Sequence, residues 1–149
     1  MKDLIDNLKT IFDAAIAAGT VSAVRVFKGL QNEPAQVANT EYPYIMIDEG
    51  GERTEVDPEP DSTRAQNRFF DVIIEMGTYS LDLKQALDDI LTLSDEVKAI
   101  LELEANRQKD GFVWGVSITP FGWEDEGSFF RGRQIVMTYY ELEDTIDRY

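Results

Sequence analysis

The chain has 149 residues, long enough to bury a core of its own, and 43% hydrophobic with 11% aromatic residues excludes a disordered polymer. Its formal charge is -15, from 29 acidic against 14 basic residues, which argues against ordinary DNA or RNA binding through phosphates. Cys and His are both absent, which excludes disulfides and thiolate metal sites and removes the commonest general base and transition-metal ligand.

Residues Lys2 to Ala18 read as an amphipathic helix, with Leu4, Ile5, Leu8, Ile11, Phe12, Ala15 and Ile16 on one stripe. Gly19 is its expected stop, since glycine tolerates the left-handed conformation that closes helices. The longest apolar run here, Ala14 to Ala18, is too short for a secretory core or a membrane span. The expectation is a soluble protein made in the cytoplasm, with no membrane partner.

Ser22 to Lys28 alternates and predicts a strand; Gly29 to Glu41 reads as a polar loop. Tyr42 to Asp48 predicts a second strand, and Pro43 marks its start or an edge because proline cannot donate to a ladder. Gly50 to Gln66 holds Gly50-Gly51, Pro58, Pro60 and seven charged residues, with almost nothing apolar. It reads as a long acidic loop, a kind that is usually functional or disordered.

Asn67 to Tyr79 predicts a strand with Phe70, Val72, Ile74 and Met76 on one face and Asp71 and Glu75 on the other. Ser80 to Glu104 predicts a long helix, opened by Asp82 with Gln85 as a capping box. Its expected buried stripe is Leu83, Leu87, Ile90, Leu91, Val97, Ile100 and Leu101, with a bend or a new start at Ser94-Asp95. Gly111 to Thr119 alternates as a strand, Phe121 to Ser128 reads as a turn region, and Phe129 to Leu142 as a last long strand. The tail over 143–149 is charged and expected to be mobile. The whole predicts one α+β domain over 1–149: a mostly antiparallel sheet of about five strands, packed by two amphipathic helices.

Chemistry-bearing patterns are few. Asp57, Glu59 and Asp61 alternate as in a calcium loop, but positions six and twelve from Asp57 hold Ser62 and Arg68 where an EF-hand needs Gly and Glu. Glu124, Asp125 and Glu126 read as a charged turn rather than a carboxylate pair set across a cleft. Gly-x-Ser-x-Gly, Ser-x-x-Lys and phosphate-loop patterns are absent. No catalysis, cofactor or metal is expected. The last strand is two-faced: Arg131, Arg133, Ile135, Met137, Tyr139 and Glu141 on one side, Phe130 through Leu142 alternating on the other. Two readings stand, a central strand covered by helices on both sides or a face that meets a neighbouring subunit.

The helix Leu4-Ile5-x-x-Leu8-x-x-Ile11-Phe12, the strand Tyr42-Pro43-Tyr44-Ile45-Met46-Ile47, the strand Phe69-Phe70-Asp71-Val72-Ile73-Ile74 before a long helix, and the closing strand Phe129 to Leu142 carry a family resemblance. Over nearly its whole length the chain resembles the tail terminator (tail completion, minor tail) proteins of long-tailed bacteriophages. The resemblance implies a virion subunit of the head–tail junction that closes into a hexameric ring. Such a ring caps the tail tube protein, meets the head–tail connector protein, and lets DNA pass without binding it specifically.

On that reading the loop, with Arg53, Glu55, Asp57, Glu59, Asp61 and Arg64, reaches towards the tube or the next subunit. Trp123, Arg131 and Arg133 are the other expected contacts, the two arginines meeting acidic residues of a neighbour. A head-completion or neck protein, and an acidic DNA-mimic inhibitor, are the alternatives. The mimic fits less well because acids alternate with many basic residues along the chain.

Overall fold

A computed structural model of the chain describes residues 2–28, 41–56, 65–103 and 112–144. The element order is α1 (Lys2–Ala17), β1 (Arg25–Lys28), β2 (Tyr44–Val56), β3 (Ala65–Ser80), α2 (Leu83–Glu102), β4 (Phe112–Asp125) and β5 (Ser128–Asp144). The strands form one sheet in the order β1-β2-β3-β5-β4. Only β1 and β2 run parallel; the other neighbours are antiparallel. The α+β architecture expected from the residue pattern is the one observed.

Helix α1 ends as its sequence dictates. Gly19 takes a φ of 76°, and the amides of Gly19 and Thr20 turn back to the carbonyls of Ile16 and Ala15, satisfying acceptors the helix would otherwise leave open. Leu4, Leu8 and Phe12 are fully buried against Val26, Ile45 and Ile47. Helix α2 opens on Asp82, whose Oδ1 accepts the Lys84 amide at 3.1 Å. The return half of the capping box is not made: Gln85 bonds Asp89 at 2.7 Å instead. Helix α2 runs through Ser94-Asp95 without a break or a new start.

The buried side of α2 is Ala86, Ile90, Leu93, Ser94, Val97 and Leu101. It is rotated from the expected stripe, and Leu87 and Leu91 are exposed at 41% and 45%. The helix packs on β3 and β5 more closely than on β4, so on its β4 side Leu87 faces an open groove. Thr78 fixes this seating: its hydroxyl lies 2.9 Å from the Ala86 carbonyl.

The sheet is longer than the pattern suggested. Residues up to Val56 belong to β2 and residues from Ala65 to β3, so both ends of the loop expected over 50–66 are strand; 57–64 lie outside the described residues. Gly51, with a φ of 126°, sits at a bulge between Glu49 and Gly51, where the strand bends without ending. Strand β4 likewise continues through Phe121 to Asp125. The turn is only Glu126-Gly127, both at positive φ, as two-residue hairpins require. Glu143 and Asp144 close β5, and 145–149 lie outside the described residues.

Candidate interaction surface

Strand parity sorts the sheet into two faces. Val26, Ile45, Ile47, Val72, Ile74, Met76, Ile135 and Met137 point to the helices and make the core. Both helices sit on this face, so β5 is not sandwiched between helices. Among the described residues the opposite face carries no helix, and a band of aromatic rings crosses it. Phe121, Trp123 and Phe130 stack nearly parallel, at 6.3 and 4.8 Å between centroids. Phe130 then meets Tyr79 and Tyr42, and Tyr42 meets Tyr44 edge-on at 5.1 Å. The series reaches β1 through Phe27, whose far side holds the Arg25 guanidinium 4.7 Å from the ring centre.

Two paired glycines make this arrangement possible. Gly77 and Gly132 are cross-strand neighbours on β3 and β5. A Cβ on Gly77 would stand 2.2 Å from the Tyr44 ring, and one on Gly132 would stand 2.2 Å from the Phe121 ring. The missing side chains let one ring from β2 and one from β4 lie flat over the middle of the sheet. Trp123, Phe121 and Phe130 remain half-buried, so the band reaches solvent at the β4–β5 end.

Beneath the band lies one acidic group. Glu75 is 8% exposed and accepts the Tyr44 hydroxyl at 2.9 Å. Burial raises its pKa above the ordinary carboxyl range, and the Tyr44 hydrogen bond offsets part of that rise. Burial and the Glu75 charge raise both neighbouring phenols, Tyr42 to about 12. The pair joins β2 to β3 beneath the aromatic band.

The expected contact residues separate into three groups. Trp123 stands in the aromatic band. Arg131 and Arg133 point the other way, to the helix face, and are engaged within their own chain. Arg131 donates to the Phe130 and Trp123 carbonyls at 2.8 and 3.3 Å and faces Glu124 at 3.6 Å, while Arg133 donates to buried Ser94 at 3.3 Å. Arg53 lies on exposed β2, its guanidinium 4.6 Å from the Phe69 ring centre, and Glu55 follows it on the same strand. Asp57, Glu59, Asp61 and Arg64 lie outside the described residues. Arg131 and Arg133 thus share the helix face of β5, while Arg53 lies on β2.

Tyr42, Tyr44, Tyr79, Phe121, Phe130 and Glu75 were not singled out by their sequence. The available signal was shared parity, Tyr42 with Tyr44 and Phe121 with Trp123, but parity alone does not say which strands are neighbours.

A groove of about 620 Å³ opens on the helix face between α2 and β4, lined by Lys98, Leu101, Val116, Ile118, Ile135 and Met137. Among the described residues, no group of three or more acidic side chains is placed to hold a metal ion, and no helix is long and apolar enough to cross a membrane. Compared with known proteins, the chain matches no family model and no curated protein.

Proposed function

We propose that this chain is a structural protein of a long-tailed bacteriophage, a tail terminator that closes as a hexameric ring over the finished tail tube and joins it to the head connector. The observation that carries the reading is the one-sided sheet: both helices cover one face, while the other ends in a half-open stack of Phe121, Trp123 and Phe130. Aromatic side chains are enriched at interfaces, and one sheet face meeting a different patch of a neighbour is the heterologous contact from which rings are made. The acidity supports the same reading, because a negatively lined ring lets DNA pass without holding it. The resemblance of element order and strand residues to tail terminators adds to both.

The test is assembly with the tail tube protein that the proposal requires as partner. Adding the chain to polymerising tube protein should give shorter tubes with a ring at one end, seen by electron microscopy. Trp123→Ala should keep the fold and lose the ring. Tubes of unchanged length with bare ends would overturn the proposal.

A further inference from the structure

Strand β4 is the last strand of the sheet, and among the described residues nothing pairs with its outer side. It is also the least charged part of the molecule. No charged residue occurs between Asp110 and Glu124, the longest such run in a chain of net charge -15. Edge strands of soluble proteins are ordinarily protected from pairing by charged side chains, proline, bulges, shortness or a cover. Here the strand is 14 residues long, and Val116 and Ile118 are exposed at 55% and 38% on its helix face. The register shift between Val113 and Gly115 protects one end and Pro120 the other, so the stretch open to pairing is Gly115 to Thr119, centred on Ser117.

We propose that β4 is a docking edge for a second copy of this chain, paired antiparallel to its own β4 about a two-fold axis near Ser117. Charge selects both the edge and the direction. Two copies at -15 repel wherever their acidic surfaces meet, and the uncharged run lets their backbones approach without opposing like charges. Antiparallel pairing sends the Glu124-Asp125 ends of the two copies to opposite ends of the shared ladder; parallel pairing would set them side by side. Centred on Ser117, the two-fold places Val116 opposite Ile118 of the second copy, and Ile118 opposite Val116. These four apolar side chains then cover one another on the helix face, as directly opposed residues do.

A single pair of strands buries less than the roughly 800 Å² per partner of a standard stable interface, so the dimer exchanges readily with monomer. The pairing goes beyond the tail reading and stands without it. It is isologous and uses the edge, whereas a ring is closed by heterologous contacts and would use the aromatic face.

The absence of native cysteine gives a clean test. In Ser117→Cys, mild oxidation of the full chain should give a covalent dimer in large excess over Thr10→Cys, whose cysteine lies exposed on α1. Adding Val116→Lys to Ser117→Cys brings two ammonium groups into the shared cluster. It should remove most of the cross-link while circular dichroism stays that of the folded chain. Cross-linking at Ser117 no greater than at Thr10, or unaffected by Val116→Lys, would overturn the pairing. Neither outcome bears on tube capping, which is read by tube length.

Discussion

Glu75 is a carboxyl that the fold holds out of water. Its surroundings are Tyr44 and Tyr42 from the β2 side, with Met46 and Gln134 as cross-strand neighbours. Burial raises its folded pKa, so the native state keeps its proton to a higher pH than the unfolded chain does. Stability from this site is complete below the ordinary Glu value near 4.3 and falls as pH rises through the raised folded value. Glu75→Gln removes that loss. The variant should match the parent in acid and melt higher at neutral pH, as thermal scans across the range will show. Tyr44→Phe should do the opposite at neutral pH: it leaves a buried carboxylate without its donor, a loss of about 1–3 kcal/mol in denaturant titration. Its cost should shrink as acid protonates Glu75. A Glu75→Gln variant less stable than its parent at neutral pH would mean that the ionised carboxylate is satisfied and stabilising.

Among the elements, α1 shows how much a pattern determines when one stripe has one place to go: Leu4, Leu8 and Phe12 are buried as their spacing predicts, and Gly19 stops the helix. Helix α2 shows the limit. Apolar residues surround more of it than one contact can cover, and the pattern alone does not say whether Leu87-Leu91 or Ala86-Leu93 faces the sheet. The answer comes from the strand order, which puts β3 and β5 under the helix and β4 to one side. Leu93→Ala should therefore cost about 2–5 kcal/mol through a cavity in the core. Leu91→Ala, at a partly solvated position, should stay within about 0.5 kcal/mol, measured by the same urea titration. Equal costs would place the buried stripe where the spacing first suggested. The strands were misread at glycines for a related reason. Gly50-Gly51 and Gly122 look like turns in a linear sequence, but one pair makes a bulge and the other glycine lies under the Arg131 side chain within a continuous strand.

For the whole molecule, the class of fold was legible from helical and two-residue periodicities, whereas the candidate surface was not. The aromatic band joins residues from β1 to β4, and its members share a face only once the sheet order is known. The same order turned Arg131 and Arg133 inward, and this changes what should drive assembly. If these arginines bridged to acidic neighbours, salt would weaken the oligomer. In the structure Arg131 contacts the Trp123 and Phe130 carbonyls and Glu124, and Arg133 contacts Ser94, so in the proposed assemblies the contacts between copies would fall to apolar and aromatic groups. What opposes association is then the mutual repulsion of chains at -15. That repulsion is screened as the Debye length falls from about 30 Å at 0.01 M salt to about 3 Å at 1 M. At fixed protein concentration, light scattering should show the mean mass rising across this range, while apolar contacts persist or strengthen. Mean mass falling with salt would show that ion pairs hold the copies together and return the acidic β2 strand and its Arg53 to the centre of the assembly.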